Sequence, residues 1–352
     1  MPINPWRATC MQMPSRVATG SANRDEAWRI IRQNLDYATR MIDAVFESSD
    51  TNDSRLLLFP EFAFQGPPLK EDVQQWLDRA AYTLPGDISR PLQEKAREYR
   101  VYVGANHFEF DPEWPGRYFN CSFLIDPNGD VVLRYRRIYT AQWPSPHDLM
   151  DAYLARYGIE KTFPVVDTEL GRISMFPCGE ISVPEAARMF MLRGAEVLLH
   201  PDNGTTGPAT DAAKVVRAYE NMLYLVSTNV AGPIGFAQGD GPLGGRSQIV
   251  DFDGNVLAIE TGSEPSPRAT AMVDVEKLRE ARRDTTMRNR LLRSRFEIYM
   301  PVYAQAVFYP ANQFAETPMA NWQETGSVGQ TALRNMIRQG VSVEAQAPVA
   351  SG

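Results

Sequence analysis

The stretch GRISMFPCGEISVPE, residues 171–185, decides the fold of this chain. Its apolar first half ends at Phe176, Cys178 follows two residues later, and Pro184 opens a segment with apolar residues at helical spacing. Proline is tolerated in the first turn of a helix, so the sequence predicts that Cys178 lies in the bend between a strand and a helix. In α/β proteins the carboxyl ends of strands carry reactive groups, and backbone amides there can hold an anion.

Short apolar strands alternate with amphipathic helices on both sides of this stretch. Before it, we predict the helix Asp25–Phe46 and a second helix that ends at Tyr99. The predicted strands of this half are Arg7–Met13, Leu56–Phe59, Val101–Ala105, Phe119–Ile125 and Val131–Ile138. From it onwards we predict the helices Pro184–Arg193 and Asp211–Met222 and the strands Arg172–Phe176, Val197–His200, Tyr224–Asn229, Ser247–Phe252 and Asn255–Ile259. A turn ending in Asn-Gly or Asp-Gly joins the last two strands of each half, which is typical of a hairpin. The repeated order predicts an α/β protein, a four-layer α-β-β-α sandwich of two internally similar halves.

Two segments do not follow this repeat. We predict that residues 140–163 are irregular, and such a length is uncommon in a compact domain unless the segment has a function. Beyond Asp274 come an arginine-rich helix and an aromatic tail, Phe296–Phe314, which has too few partners to form a domain. We therefore predict one domain over residues 1–275 and a C-terminal extension over residues 276–352. Its arm is expected to pack on a neighbouring subunit of a homo-oligomer, a dimer or larger.

The composition excludes several classes of protein. With 352 residues, 43% hydrophobic and 22% charged, the chain is not a disordered protein or a coiled-coil rod. No apolar run approaches the ~20 residues of a membrane-spanning helix, and the N-terminus does not resemble a secretory signal. A net charge of −7 offers no basic surface for nucleic acid. Three scattered cysteines and three histidines form neither a disulfide framework nor a metal motif, so we expect a cytoplasmic protein without metal or cofactor that acts on a small molecule.

A cysteine nucleophile needs a base and a group that stabilises an oxyanion, and the sequence offers two bases. Glu61 directly follows the apolar strand Leu56–Phe59, and apolar neighbours would raise its pKa into the range of a general base. His200 also ends a strand, so a Cys–His pair is the alternative, although no motif that would orient the imidazole follows it. Each of these functional roles has a structural alternative. Cys178 can be an inert buried thiol, and Glu61 can be a glutamate exposed to solvent.

Further residues complete a pattern that resembles the nitrilase, or carbon–nitrogen hydrolase, superfamily. The family motif of an apolar strand followed by Phe-Pro-Glu is matched by residues 59–61. The family's cysteine motif is Cys, any residue, an acid, three more residues and Pro-Glu, and residues 178–185 match it. The resemblance runs from about Arg7 to Asp274 and includes, in order, Asn120, Arg188, Gly194 to Val197, Arg217-Ala218, Glu220-Asn221, Asn229, Gly232, Gly245, Ser247 and Asp253-Gly254.

The resemblance implies a catalytic triad of glutamate, lysine and cysteine, with residues 1–275 as a carbon–nitrogen hydrolase domain. Glu61 and Cys178 occupy two of the three positions, but Arg137 stands where the family has lysine. The resemblance further implies that the amide of Gly179 helps to hold the oxyanion. A second family glutamate follows the lysine at a variable distance, and its candidates here are Asp148, Asp151 and Glu160.

The arginine at position 137 has two interpretations. It keeps the positive charge and several donors, so it can stabilise both an oxyanion and a thiolate. Its planar head can instead clamp Glu61 in a bidentate pair, which would lower the pKa of Glu61 and weaken it as a base.

The leading hypothesis is therefore a thiol hydrolase that cleaves a non-peptide carbon–nitrogen bond of a small amide, carbamoyl compound or nitrile through a cysteine acyl-thioester. Amidase chemistry is favoured over nitrilase chemistry, because Pro184-Glu185 after the cysteine is commoner in the amidase branches. The alternatives are an impaired family member that acts as a binding or scaffold protein, and an acyl transferase that uses the same cysteine. Trp143 and Tyr153, in the segment predicted to be irregular, are expected to shape the substrate pocket.

Overall fold

Two six-stranded β-sheets form the centre of the computed structural model, which describes residues 2–140, 142–235 and 241–343. The strands of the first half are β1 (Trp6–Cys10), β2 (Ser54–Leu58), β3 (Tyr102–Phe110), β4 (Tyr118–Ile125) and β5 (Val131–Arg136). Those that follow are β6 (Val166–Thr168), β7 (Gly171–Met175), β8 (Val197–Pro201), β9 (Tyr224–Thr228), β10 (Gln248–Val250), β11 (Val256–Ile259) and β12 (Thr270–Val273).

The helices lie between and after these strands. They are α1 (Arg24–Glu47), α2 (Val73–Arg79), α3 (Ser89–Tyr99), α4 (Met150–Thr162), α5 (Pro184–Leu192), α6 (Pro208–Asn221), α7 (Val275–Arg283), α8 (Met300–Gln305) and α9 (Glu324–Arg338). Short 3₁₀ helices span Pro146–Leu149, Cys178–Ser182 and Phe296–Ile298. Among the described residues, no helix is both long enough and apolar enough to cross a bilayer.

The two sheets have the same internal order, which confirms the predicted similarity of the two halves. In the first sheet, β1, β2 and β3 are parallel and the hairpin β4–β5 continues the sheet antiparallel. In the second, β7, β8 and β9 are parallel and β10–β11 continue it in the same way. Each sheet gains one antiparallel edge strand, β12 beside β1 and β6 beside β7.

Helices cover the outer faces of both sheets, so the predicted four-layer sandwich is confirmed. One hydrophobic cluster joins α1 and α3 to the outer face of the first sheet. A second cluster fills the space between the sheets and continues under α5 and α6. Helix α1 begins where the side chain of Asn23 accepts a hydrogen bond from the Glu26 amide, and its buried side chains recur at helical spacing.

The prediction of an irregular segment at residues 140–163 is wrong from residue 146 to residue 162. A 3₁₀ helix spans Pro146–Leu149 and α4 follows it. Gly158 interrupts α4 with a φ of 67°. This break and the weak separation of apolar from polar residues along α4 hid the helix in the sequence, because helical periodicity is the signal on which such a prediction depends.

The C-terminal extension contacts its own chain over much of its length. Val275, Leu278 and Ala281 of α7 are buried in the cluster between the sheets. Phe314 and Met319 are buried against the first half, where two guanidinium N–H bonds of Arg117 reach the carbonyl oxygens of residues 314 and 315. Large exposed hydrophobic side chains remain in the part of the tail around α8, at Ile298, Tyr299, Met300, Val302, Tyr303 and Val307. The division at residue 275 and the assembly into oligomers stay predictions.

If the exposed part of the tail packs on another subunit, Val302→Glu should shift the protein to smaller assemblies. The side chain of Val302 is exposed in the single chain, and a carboxylate buried in an interface without a partner is costly. Sedimentation velocity measures the change, with Val343→Glu, another exposed valine, as the control. An unchanged sedimentation coefficient for Val302→Glu would show that this surface does not join subunits.

Candidate active site

Three predicted site residues meet where strands of both sheets end. Glu61 follows β2, Arg137 follows β5, and Cys178 follows β7. The amide of Glu61 donates a hydrogen bond of 3.2 Å to the carbonyl oxygen of Asp202, which follows β8 in the second sheet. The site therefore lies between the two sheets, with Glu61 and Arg137 on one side and Cys178 on the other.

The bend predicted at Cys178 is confirmed. The residue has a φ of 47°, in the left-handed region, and begins the 3₁₀ helix that precedes α5. Non-glycine residues in this region are strained and are often found at functional sites. The residue is partly exposed as a whole, unlike the buried Cys10 and Cys121. The first N–H groups of a helix lack acceptors within it, so the amide of Gly179 is free to bind an anion.

The guanidinium of Arg137 bridges the two sides of the site. Its Nη1 donates to Glu61 Oε1 at 3.0 Å, and its Nε donates to the carbonyl oxygen of Tyr139 at 2.7 Å. Its Nη2 lies so close to Gly179 that a Cβ atom there would be 2.9 Å away. A side chain at position 179 would displace the guanidinium, which gives a physical reason for glycine at this position.

Glu61 is fully buried, and its two oxygens have different surroundings. Oε1 accepts hydrogen bonds from Asn120 Nδ2 at 2.7 Å and from Arg137. Oε2 has no hydrogen-bond partner among the residues that the structure describes. Burial raises the pKa of Glu61 to about 7, although Arg137, Asn120 and the Cys178 thiol lower it. Desolvation therefore outweighs the arginine, and Glu61 can exchange a proton near neutral pH.

The Cys178 thiol is protonated in the resting protein. Burial and the neighbouring charge of Glu61 raise its pKa well above the usual range, while Arg137 opposes that rise. Formation of the thiolate therefore requires a base that takes the proton as the sulfur reacts.

His200 does not form the alternative Cys–His pair. Its Nε2 lies 2.9 Å from the carbonyl oxygen of Cys178, and its Nδ1 lies 2.8 Å from Ser227 Oγ. Burial lowers the pKa of His200 to about 4, so the imidazole is neutral. A neutral imidazole that donates from Nε2 to a carbonyl must accept at Nδ1, so both ring nitrogens are engaged and His200 holds the backbone of the bend.

None of the three candidates for the second acid is hydrogen-bonded to Glu61, Arg137 or Cys178 in the described part of the chain. Asp148 is buried and accepts from the amide of Ser145 at 2.9 Å. Asp151 and Glu160 are exposed on α4.

Glu180 is the carboxylate that contacts the backbone beside Arg137. Its Oε1 accepts from the hydroxyl of Tyr135 at 2.8 Å and from the amides of Ile138 and Tyr139 at 3.1 and 2.9 Å. Since Tyr139 also accepts from Arg137, Glu180 orders the turn that holds the guanidinium. Its place two residues after the cysteine was visible in the sequence, but its partners were not.

The predicted pocket residues lie in two different surroundings. Trp143 packs edge-on against Phe62, the residue after Glu61, with ring centroids 5.5 Å apart. Tyr153 packs with Tyr157 at 4.7 Å and is not part of that cluster. Trp143 therefore borders the base, and Tyr153 supports α4.

Three polar residues near the site were missed in the sequence. Asp202 and Asn203 follow β8 directly, so the strand-end rule that identified Glu61 and Cys178 also applies to them. Lys214 shares the buried face of α6 with Ala218 and Asn221. A lysine at a position where helical spacing predicts an apolar residue was the available signal.

Comparison with known proteins agrees with this architecture. Nit3 of Saccharomyces cerevisiae, a member of branch 10 of the nitrilase superfamily, superposes with a TM-score of 0.59 at 20% identity, covering 81% of this chain and 96% of that one. A Glu-to-Gln variant of the amidase from Nesterenkonia sp. AN1, solved with the acetamide moiety of fluoroacetamide on its active-site cysteine, is also similar to this chain. It superposes with a TM-score of 0.57 at 22% identity and covers 84% of this chain and 96% of that one. A formamidase of Bacillus cereus (strain Q1) is 26% identical over 285 residues, 80% of this chain and 77% of its own.

The fold is thus that of the nitrilase superfamily, a sandwich in which the ends of both sheets enclose the site. The sequence profile of the carbon–nitrogen hydrolase family matches residues 7–283, and the chain belongs to that family. This confirms the predicted resemblance and the enzyme class, a hydrolase of carbon–nitrogen bonds other than peptide bonds.

Proposed function

We propose that this protein is a thiol amidase that cleaves a small amide through an acyl-thioester on Cys178. The observation that carries the proposal is the position of Arg137, which donates to Glu61 and lies beside Gly179, so that a base, a cation and a backbone amide are grouped around the cysteine. The similarity to a formamidase and to the fold of an amidase favours amides over nitriles as substrates.

In the first half of the reaction, Glu61 accepts the thiol proton while the sulfur of Cys178 attacks the carbonyl carbon. The carbonyl oxygen becomes an oxyanion, which the Gly179 amide and the Arg137 guanidinium stabilise. Glu61 then passes the proton to the amide nitrogen, the carbon–nitrogen bond breaks, and ammonia or an amine leaves. Arg137 stays charged at any physiological pH, so the proton remains on the carboxylate or the substrate.

In the second half, water enters where the amine has left. Glu61 removes a proton from the water as the water oxygen attacks the thioester carbon. The Gly179 amide and the Arg137 guanidinium hold the second oxyanion. The carbon–sulfur bond breaks, the proton returns to the sulfur, and the carboxylic acid is released. The site regenerates the thiol and the carboxylate without a redox partner.

A panel of small amides, carbamoyl compounds and nitriles, assayed for ammonia release, tests this proposal. We expect turnover of amides in preference to nitriles. Turnover of no compound by a folded protein would favour the binding or scaffold protein. Hydroxylamine, added as a second nucleophile, tests for acyl transfer. If nearly all of the acyl group passes to hydroxylamine, and if little carboxylic acid forms when hydroxylamine is absent, the chain is an acyl transferase.

The rate should fall as the pH falls through about 7. Glu61 acts as a base only when it is ionised, and burial raises its pKa to about 7. The acidic limb of the profile of kcat/KM against pH reports that ionisation in the free enzyme. The hydrogen bond from Asn120 lowers the pKa of Glu61. Asn120→Ala removes this bond, so the pKa of Glu61 should rise and the acidic limb should move to higher pH. A limb that stays in place in this variant would assign the ionisation to another group.

A further inference from the structure

A buried ion pair lies behind the catalytic residues. Lys214 Nζ on α6 is 3.0 Å from Asp202 Oδ2, and the two side chains are 1% and 3% exposed. Lysine and aspartate are rarely buried so completely, because removing two charges from water is costly unless each compensates the other. The reaction steps above use neither residue.

The segment that carries Asp202 holds the backbone of the base. The Asp202 carbonyl oxygen accepts from the Glu61 amide at 3.2 Å, and Asn203 Nδ2 donates to the Glu61 carbonyl oxygen at 3.1 Å. The segment is itself anchored, since the Asp202 amide donates to the Thr228 carbonyl oxygen at 2.8 Å. Asn203 Oδ1 also accepts from the Gly235 amide at 2.7 Å. Both backbone groups of Glu61 thus depend on residues 202 and 203.

The same segment acts on the catalytic residues through its charge. Asp202 raises the pKa of both Glu61 and Cys178, in each case in addition to burial, and the Asn203 amide lowers that of Cys178. Lys214 keeps Asp202 ionised and lowers its pKa despite its burial. The titratable and charged groups that face the pair are Glu61 after β2, Cys10 on β1, Cys178 after β7 and His200 on β8.

We propose that Lys214 is a positioning residue for the thiol reaction: by neutralising Asp202, it keeps the Asp202–Asn203 segment against Glu61 and lets Glu61 take the Cys178 proton near neutral pH. The inference rests on the proposed function for its place in the reaction. Lys214 contacts no reacting atom and acts through Asp202.

The two partners of the pair should have opposite effects. Lys214→Met leaves the negative charge of Asp202 uncompensated beside Glu61, so the base ionises only at higher pH. Asp202→Asn removes that charge, so the base ionises at lower pH. Each shift should reach about one pH unit, the lower end of the effect of a neighbouring charge. The double variant, in which a neutral pair replaces the ions, should lie between the two single variants.

Alkylation of Cys178 by iodoacetamide, followed by intact mass across a range of pH, measures this ionisation without requiring turnover of an amide. Cys178→Ala gives the background from Cys10 and Cys121, which are buried. The matched control is Glu196→Gln, which breaks the ion pair of Glu196 with Arg279. Glu196 directly precedes β8, whereas Asp202 directly follows it, so the change lies at the other end of the strand and should leave the pH profile in place.

Opposite shifts in the two single variants would support the proposal, even if no amide in the panel is hydrolysed. Parent-like profiles in folded Lys214→Met and Asp202→Asn, or shifts in the same direction, would overturn it. If Lys214→Met does not fold, Asp202→Asn and the double variant decide, and a parent-like profile in both would overturn it.

Discussion

Replacement of Cys178 with alanine should abolish amide hydrolysis and leave the fold intact. Removal of a nucleophile that forms a covalent intermediate costs about 10⁴-fold or more in kcat. The residue is partly exposed after the end of a strand, and the change removes a single sulfur atom, so we expect little loss of packing. Ammonia release measures the activity, and circular dichroism with thermal unfolding measures the fold.

Cys121→Ala is the matched control for this result. Cys121 is fully buried on β4, and its thiol donates to the carbonyl oxygen of Ser122 and not to Glu61, Arg137 or Cys178. We expect it to lose stability through the cavity it leaves while keeping kcat. Full activity in Cys178→Ala would place the nucleophile elsewhere and remove the thioester from the mechanism.

Arg137→Ala should lower kcat by about 10²–10³-fold, the usual cost of losing one oxyanion donor. Arg137→Met should behave in the same way, since volume without charge does not stabilise an oxyanion. We also expect a large loss in Arg137→Lys, although lysine is the residue of the family motif. The guanidinium donates to Glu61 and to Tyr139 while its Nη2 lies beside Gly179, and a single ammonium on a shorter side chain cannot occupy all three positions.

The neighbouring Arg136 provides a control for these variants. It is also buried but pairs with Glu109, so Arg136→Met should cost stability and spare kcat. Activity gained by Arg137→Lys in a parent that shows none would identify a disabled relative and favour the binding-protein hypothesis. An unchanged rate in Arg137→Ala would assign the oxyanion to another donor.

Short-range signals in the sequence identified the parts of the site that are local. Glu61 and Cys178 each follow an apolar strand, a position that made them candidates for reactive groups, and the family motifs favoured them over a solvated glutamate and an inert thiol. The bend at Cys178 followed from the spacing to Pro184, and the structure has both the bend and the helix. The family motifs added Arg137 as the third residue.

What the sequence could not predict depends on distant contacts and on burial. Whether Arg137 disables Glu61 is a balance between desolvation and an ion pair, and only the three-dimensional surroundings show that desolvation is the larger effect. The partner of Lys214 is twelve residues away across a loop. Similarly, the burial of Phe314 against the first half joins residues far apart in the sequence, and no local pattern indicates that contact.

The most direct test of the account is the intact mass of the protein quenched during turnover of a small amide. We predict a fraction of chains heavier by one acyl group, located by peptide mapping on the peptide that contains Cys178, with ammonia released no later than the acid. Glu61→Gln and Cys178→Ala should show neither the adduct nor turnover. Steady ammonia release by the parent without an adduct at any quench time, or with an adduct on another residue, would contradict the proposed thioester mechanism.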